Sequence, residues 1–206
     1  MKKLVILGVL LSILCAWPTA AKADNWGVGV KLGVSENDPK TMKEFQDTMP
    51  SNTKLTEGYG VFGVEALYEW TLNGEANKLG VKVGLDVYGD NELIIGGVGA
   101  IQESTYAIPL TVYYKRDNGV KGWSPFVGAG VSFFRTEFET VLTATSKEHK
   151  NKAVPHLVAG AEYRFTDLFA LGVEAKYVFN AKMEKESLVL SDRSGLSGAL
   201  TGRFYF

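Results

Sequence analysis

The chain of 206 residues carries 22 basic and 23 acidic side chains, a formal net charge of −1 at pH 7. This charge is too mild, and of the wrong sign, for a protein that binds nucleic acid. One cysteine, Cys15, and two histidines, His149 and His156, argue against a disulfide framework and against a cysteine- or histidine-rich metal centre.

The first 23 residues have the three-part layout of a secretory signal peptide. Two lysines form a short basic start, residues 4–17 are apolar and uncharged, and a small-x-small cleavage site ends at Ala23. The apolar stretch is shorter than the roughly 20 residues that a membrane-spanning helix needs. We therefore expect cleavage after Ala23, which removes Cys15 and leaves residues 24–206 with a net charge of −4.

Apolar side chains then occupy every second position along eight segments. In chain order these are 26–34, 62–70, 79–87, 106–114, 127–133, 157–165, 169–179 and 196–206. A period of two predicts β-strands with one apolar face. A soluble barrel alternates in the same way with its apolar face inward, so the periodicity alone leaves a soluble and a membrane barrel open.

The connections between these segments alternate between long and short. The long ones are 35–57, 89–102, 137–153 and 180–194, and the short ones are 71–78, 117–123 and 166–168. Outer-membrane barrels have short periplasmic turns and longer outer loops. A soluble barrel has no reason to sort its loops in this way, so the loop lengths favour the membrane barrel.

Aromatic residues collect near the ends of the segments. With both chain ends in the periplasm, Trp26, Trp70, Trp123, Phe126, Phe165, Phe169 and Phe206 fall near the periplasmic edge, and Tyr59, Tyr88, Tyr106, Phe138 and Phe179 near the other. Such rings favour the headgroup level of a bilayer. We therefore predict an all-β fold, a closed antiparallel transmembrane β-barrel of about eight strands over residues 24–206, placed in the outer membrane after export.

Two outer connections are predicted to have structure of their own. Residues 93–98 are apolar enough for a strand, but a ninth spanning strand would break the even number usual in such barrels. We place this segment in the second outer loop, where it could extend a hairpin above the membrane, and whether it forms a loop or an extra strand stays open. In the first outer loop, Met42, Phe45 and Met49 are spaced for a short amphipathic helix.

Charged residues alternate with the apolar ones and are predicted to line the lumen. The candidate cluster contains Glu65, Glu69, Lys82, Asp86, Lys115, Glu162, Arg164, Glu174, Lys176 and Arg203, with Lys31 in addition. Eight strands enclose a lumen just wide enough for side chains to fill. Buried charges are stable only when they are paired, so we expect a packed interior of ion pairs and no open aqueous pore. The alternative interpretation is a polar pathway.

Several residues on the lumen side have structural interpretations. Gly80, Gly84, Gly128 and Gly130 would make room for the long charged side chains. Pro109 lies within a segment and has no amide hydrogen for the ladder, which predicts a bulge or an interruption of pairing.

The residues also resemble a known family. The stretches Tyr106–Lys115, Ser124–Val131 and Gly160–Phe165, with the final aromatic strand, resemble the small outer-membrane barrels that include the opacity-like, OmpX-like and OmpW-like proteins. The resemblance spans residues 24–206 through loose motifs. It implies an eight-stranded barrel and no single activity, since this fold carries adhesins, channels for small apolar solutes and lipid enzymes. Phe204 and Phe206 resemble the signal that the barrel-assembly machinery reads.

Catalysis would need a base beside a serine, with an acid to orient the base. His149 lies in the charged stretch 147–152, which is interpreted as a solvated loop tip. His156 is predicted to face the lumen, and no recognisable motif joins it to Ser132 or Ser197. We therefore expect no catalytic residues, no metal and no cofactor.

The sequence favours an integral outer-membrane barrel that is monomeric and contacts lipid and lipopolysaccharide. A structural or surface-interaction role through the outer loops, as an adhesin or an envelope-stabilising protein, is the first hypothesis. A narrow channel for small apolar solutes, opened near Pro109, is the alternative. A lipid-modifying enzyme centred on His156 is the third.

Overall fold

The computed structural model describes residues 26–48, 52–72, 76–96, 98–141, 145–185 and 188–206. The predicted signal peptide, residues 1–23, and Met49 of the predicted helix lie outside the described residues. In chain order the elements are β1 (Trp26–Ser35), α1 (Lys40–Thr48), β2 (Thr53–Thr56), β3 (Gly60–Thr71), β4 (Asn77–Tyr88), β5 (Asn91–Ile95), β6 (Val98–Arg116), β7 (Trp123–Val141), β8 (Thr145–Arg164), β9 (Phe169–Val178), β10 (Lys182–Lys185), β11 (Leu188–Asp192) and β12 (Gly195–Tyr205).

Eight of the described strands form a closed antiparallel barrel in the order β1, β3, β4, β6, β7, β8, β9 and β12. The first and last strands close it over nine residue pairs, from Gly27 opposite Tyr205 to Ser35 opposite Ser197. The backbone N–H of Phe206 donates to the carbonyl of Trp26 at 2.9 Å. The predicted fold class is therefore confirmed.

The two faces of the strands are reversed relative to a soluble barrel. Leu32 and Leu200 on the outside are each 67% exposed, whereas Asp86 and Lys115 inside are 0% exposed. Water around the molecule would make such an outer surface costly, but lipid hydrocarbon accepts apolar side chains freely. The alternation that left two barrel types open thus belongs to the membrane type.

The periplasmic turns are short, as predicted, whereas the outer connections are more ordered than loops. The segment 137–153, predicted as a loop, instead continues β7 to Val141 and β8 from Thr145. The prediction of a loop over 147–152 is therefore wrong, because these residues lie in β8 opposite 134–139 of β7. The predicted contact with solvent holds, since Lys147 and His149 are exposed. The polar side chains of 147–152 on both faces hid the strand, since alternation is visible only where one face is apolar.

The outer ends of the strands continue the barrel sheet above the membrane band, where β2 and β5 join it. Residues 93–95 belong to β5, which pairs with the outer part of β6 on one side and with β2 on the other. Residues 93–95 thus form an extra strand, as one of the two alternatives left open, and extend a hairpin above the membrane. Strands β10 and β11 form a separate two-stranded sheet.

The predicted amphipathic helix is α1, and its Met42 is 2% exposed. The ammonium group of Lys43 lies 3.2 Å from Asp38 and 3.5 Å from Glu57, which ties the helix to the segments before it and before β3. Burial acts to lower the pKa of Lys43, but Asp38 and Glu57 together outweigh it and raise this pKa. Within the described residues, no helix has the length and apolar character needed to cross a membrane.

Aromatic rings form a belt at the periplasmic rim. Trp26, Tyr68 and Trp70 are in edge contact, with ring centroids 4.7–4.8 Å apart. A second run joins Trp123, Tyr163, Phe165, Phe169 and Phe204 in that order. Three residues assigned to the rims by sequence, Tyr88, Phe126 and Phe138, turn inward instead, because they share the parity of the lumen positions on their strands.

The pairing between β4 and β6 is interrupted beside Pro109. Val83 pairs with Leu110 and Asp86 with Ala107, but the two positions between them are unpaired. On its other side Pro109 stays opposite Ser132 of β7. Because proline has no amide hydrogen, it interrupts pairing without shifting the register, and the prediction of interrupted pairing is confirmed.

Candidate functional site

A charged residue of one lumen strand reaches its partner across a glycine on the strand between them. On β1, Gly29 lies opposite both Arg203 of β12 and Glu65 of β3. Arg203 Nε donates to Glu65 Oε1 at 2.6 Å. A Cβ atom on Gly29 would lie 3.0–3.2 Å from both side chains. The missing side chain therefore opens the space through which the pair meets.

Arg203 is the centre of the lumen network and is 3% exposed. Besides Glu65, its guanidinium donates to Glu162 at 2.9 Å and to Glu174 at 3.2 Å. Lys82 bonds Glu174 as well and lies 3.7 Å from Glu65. Arg203 and Lys82 thus bring two positive charges to three carboxylates. Cations of the neighbouring layers supply the remaining positive charge.

On the periplasmic side of this centre, Lys115 is 0% exposed and lies between two carboxylates, Glu69 and Glu162. Tyr113 donates its hydroxyl hydrogen to Glu69 at 2.8 Å, and Tyr205 donates to Glu162 at 2.7 Å. These hydroxyls supply the additional hydrogen bonds that buried carboxylates require.

On the outer side, Asp86 is shared by two lysines. The ammonium groups of Lys31 and Lys176 each lie 2.6 Å from one of its oxygens. The central charges then comprise five carboxylates (Glu65, Glu69, Asp86, Glu162, Glu174) and five cations (Lys31, Lys82, Lys115, Lys176, Arg203). The structure therefore brings nine of the ten predicted cluster residues together with Lys31 in a neutral network.

Arg164, the tenth predicted residue, lies at the periplasmic mouth. Its guanidinium is 3.5 Å from Asp117 and stacks 4.4 Å from the centre of the Tyr205 ring. Lys78 lies 2.6 Å from the same aspartate. Burial opposes ionisation of Asp117, but Lys78, the Gly119 amide and Arg164 outweigh it and hold the pKa of this carboxyl at about 2.

The outer mouth is closed by residues that the sequence did not single out. Arg193, whose side chain is 0% exposed, donates to the carbonyls of Gly58 and Gly89 and lies 3.4 Å from Glu103. Asn91 donates to Glu103 at 2.8 Å. Beneath this polar layer lies an apolar one that comprises Val61, Tyr88, Ala107, Phe134, Val154, Val178, Ala181 and Met183.

The residues missed by sequence reasoning fall into two groups. Tyr113 and Tyr205 have the same strand parity as Lys115 and Arg203, so periodicity could have assigned them to the lumen. Arg193 lies in a segment predicted as an outer loop, and Glu103 lies between the predicted loop 89–102 and the predicted strand 106–114, where no periodicity marked it. Their role depends on contacts between residues 90 positions apart, which a single sequence does not reveal.

His156 is 1% exposed and uses both ring nitrogens. Nδ1 lies 2.9 Å from Ser132 Oγ, and Nε2 lies 2.9 Å from Thr111 Oγ1. The serine is brought close because Gly130 lies opposite His156, which places Ser132 on the diagonal of the same face. Ser197 instead donates to the carbonyl of Lys176. The ring is thus held by two hydroxyl groups, where a catalytic triad would place one serine and one acid.

Little free space is left inside the barrel. Two lumen cavities share Lys31, Glu174 and Lys176, and one of them extends to Gly84 and Pro109. Each has room for about one water molecule. No group of three or more potential metal-binding side chains is found within the described residues.

Comparison with known proteins agrees with this architecture. Residues 7–196 match the family described as outer membrane protein beta-barrel domain. No curated protein matches the chain.

Three solved structures illustrate the likeness. Ail, the attachment invasion locus protein of Yersinia pestis, has 13% identity and a TM-score of 0.55, with 88% of this chain and 97% of Ail covered. OprG from Pseudomonas aeruginosa has 13% identity and a TM-score of 0.54, with 88% and 95% covered. Neisserial surface protein A has 15% identity and a TM-score of 0.53, with 88% and 97% covered. With its match over residues 7–196 and its closed lipid-facing barrel, the chain belongs to the outer membrane protein β-barrel domain family and is an integral protein of the Gram-negative outer membrane.

Proposed function

We propose that this chain is a closed outer-membrane barrel that acts through its outer surface, as a surface-interaction or envelope-stabilising protein. The carrying observation is the packed lumen, in which ten paired charges and the layer under Arg193 are buried and two cavities each have room for about one water molecule. A barrel without a passage has only its lipid-facing wall and its two ends to offer a partner.

The outer end is built as a contact surface. Strands β2, β5, β6, β7 and β8 continue above the membrane band as one sheet. Polar contacts run across it, with the Lys147 ammonium 3.0 Å from Glu139 and His149 Nδ1 3.4 Å from Glu137. Polar segments held on a rigid scaffold commonly carry binding functions. Ail is named for attachment and invasion, but at 13% identity that likeness supports the fold alone.

The test is to shorten the β7–β8 hairpin. Replacing residues 137–149 by Asn-Gly would join Thr136 to Lys150, a pair already opposite each other, through a two-residue turn. Bacteria that display the shortened barrel should lose adhesion to surfaces or resistance to detergent, relative to bacteria that display the intact barrel at equal abundance. Equal adhesion and equal resistance would contradict the proposal.

A narrow channel for small apolar solutes is the second candidate. The ladder gap at Pro109 adjoins a lumen cavity, so this is the point where the wall could open to the membrane. Replacing Pro109 by Val would supply the missing amide hydrogen and close the gap. Uptake of a small apolar solute that falls in P109V but not in the shortened hairpin variant would favour the channel.

Catalysis receives less support. The contact between Ser132 and His156 is suitable for a nucleophile and a base, but both side chains are buried and Thr111 occupies the position that an orienting acid would take. We expect the lipid profile of the outer membrane to be the same with His156→Ala as with the intact protein. A change in this lipid profile would restore the enzyme hypothesis.

The last strand, β12, and the terminal Phe206 are expected to direct the assembly of the barrel in the membrane. We expect the barrel-assembly machinery to recognise Phe204 and Phe206, which are about half exposed at the periplasmic rim. We also expect a monomer. Replacing both residues by Ser should lower the amount of folded protein in the membrane, whereas the purified variant should still refold in lipid vesicles.

A further inference from the structure

The periplasmic turn between β6 and β7 contains an asparagine followed by a glycine. Asn118 and Gly119 are both exposed, and a second such pair, residues 73 and 74, lies outside the described residues. In an unfolded chain an asparagine before glycine is prone to lose ammonia, because glycine has no side chain to hinder attack by its own amide nitrogen. Asn118 is therefore a candidate site of spontaneous deamidation.

Deamidation of Asn118 needs a free amide nitrogen at Gly119. This nitrogen gives its proton to a solvent base and forms a bond to Asn118 Cγ, and the bond from Cγ to Nδ2 breaks as ammonia leaves. Water then adds to one carbonyl group of the resulting succinimide ring and opens it to aspartate or isoaspartate. The attack requires contact and alignment of the two reacting atoms, so partners that fix the amide or the carboxamide slow it.

In the folded turn both reacting groups are bound to other partners. The Gly119 N–H donates to Asp117 Oδ1 at 3.0 Å. Asn118 Nδ2 donates to the carbonyl of Trp123. Attack on Cγ must break the first of these hydrogen bonds and turn the carboxamide away from the second.

The Asp117 carboxylate is suited to hold this amide proton. Burial opposes its ionisation, but Lys78, the Gly119 amide and Arg164 outweigh it and keep the pKa of Asp117 at about 2. The acceptor therefore keeps its charge at neutral and alkaline pH, where deamidation through the succinimide is fastest. Hydrogen bonds to ionised acceptors are about twice as strong as neutral ones, and the negative charge disfavours loss of the amide proton.

The backbone of the turn is also fixed against the end of β8. Gly119 and Lys121 have left-handed φ angles of 74° and 62°. The Lys121 N–H donates to the carbonyl of Arg164 at 2.7 Å, and the Arg164 N–H donates to the carbonyl of Gly122 at 3.3 Å. A Cβ on Gly122 would lie 2.7 Å from the carbonyl oxygen of Asn118. The turn is therefore too tightly packed to rearrange freely into the geometry of attack.

The product of deamidation would not fit this turn. A carboxylate at position 118 cannot donate to the Trp123 carbonyl, and it adds a negative charge beside Asp117. Isoaspartate would also lengthen the backbone by one methylene group between two paired strands.

We propose that Asn118 is a latent deamidation site, reactive in the unfolded chain and protected in the folded barrel by the Asp117 carboxylate and the Trp123 carbonyl. Damage at this site would then record how long a chain has remained unfolded before assembly. The modification is independent of what the outer surface binds.

The experiment incubates the barrel refolded in lipid vesicles, and the same chain unfolded in guanidinium chloride, at mildly alkaline pH. After unfolding and removal of the denaturant, trypsin cleaves after Arg116 and Lys121 and releases residues 117–121. Chromatography with mass spectrometry separates the asparagine, aspartate and isoaspartate forms of this peptide. A sample digested without incubation gives the deamidation that the digestion itself causes.

Two variants separate the role of the amide acceptor from a general loosening of the turn. Asp117→Ala removes the acceptor of the Gly119 N–H. Arg164→Met is the matched control, because it removes an ion pair of the same carboxylate, at 3.5 Å, and leaves that acceptor in place.

We expect Asn118 to deamidate about tenfold faster or more in the unfolded chain than in the intact barrel, since attack must break a hydrogen bond to an ionised group. The folded D117A barrel should also react about tenfold faster than the intact barrel, and the folded R164M barrel within about twofold of it. In guanidinium chloride the three chains should react at the same rate.

Equal rates in the folded and the unfolded intact chain would overturn the proposal, and so would equal rates in the folded D117A and R164M barrels. If D117A does not fold, as judged by heat-modifiable gel mobility, D117N takes its place, because a neutral amide oxygen is a weaker acceptor. A rate in D117N no faster than in R164M would then overturn the proposal.

Discussion

Lys31 Nζ lies 2.6 Å from Asp86 Oδ1, although their strands, β1 and β4, are separated by β3. Gly63 of β3 lies opposite both residues. A Cβ on Gly63 would come within 2.5 Å of the lysine and 2.6 Å of the aspartate. The closure of the lumen therefore depends on the absence of a side chain at this position as much as on the charges.

Gly63→Val should separate Lys31 from Asp86 and destabilise the barrel by about 1–3 kcal/mol, the usual cost of overpacking. Gly198→Val is the matched control, because a Cβ there meets nothing within 4 Å. Urea unfolding of both variants in lipid vesicles measures the difference. Equal free energies of unfolding would show that the space at Gly63 is not needed.

Arg203→Met should destabilise the barrel by about 3–5 kcal/mol, because Glu65, Glu162 and Glu174 would lose their common partner inside the barrel. Lys147→Met, at a position 62% exposed, should cost less than about 1 kcal/mol. The same unfolding measurement compares them. A cost below about 1 kcal/mol for Arg203→Met would mean that the network does not hold the barrel together.

Asp117→Asn should cost about 2 kcal/mol at neutral pH, because the folded-state pKa of about 2 lies below the ordinary value of about 3.9. A lowered carboxyl pKa stabilises the fold above the unfolded-state value, and this stabilisation disappears as the pH falls from about 4 through about 2. The difference between the intact protein and D117N should therefore shrink over that interval. A difference independent of pH would contradict the ion-pair explanation.

Arg193→Met should loosen the outer end without opening the barrel wall. Arg193 connects the segments at Gly58 and Gly89 with Glu103 of β6. Hydrogen exchange should accelerate over 89–103 and 188–194 and stay unchanged in the spanning parts of the strands. Faster exchange throughout all eight strands would instead make Arg193 part of the barrel's global stability.

The spanning strands and the lumen residues could be predicted because lipid outside and packed charges inside impose a strict alternation. That rule places Glu65 and Arg203 inward with no knowledge of the register. It does not give their pairing, because a shift of one residue between two strands would replace every neighbour across them. The register must be known before one can see that the missing side chains at Gly29 and Gly63 leave room for ion pairs.

The outer half was harder to predict because neither of its faces is strongly apolar. The segment 137–153 has polar side chains on both faces and is therefore predicted as a loop, although its described residues, 137–141 and 145–153, form the upper part of the β7–β8 hairpin. His149 was placed at a solvated tip for the same reason. The role of Arg193 cannot be recognised in the sequence, because it depends on the carbonyl groups of Gly58 and Gly89, which only the fold brings to the arginine.

The most direct measurement is the conductance of the refolded protein, residues 24–206, in a planar bilayer. The account predicts a silent membrane, because the paired charges around Arg203 and the layer beneath Arg193 leave no continuous passage. Steady, discrete conductance steps would contradict it. Glu65, Lys82 and Glu174 would then be the first residues to replace, since they would line the open pathway.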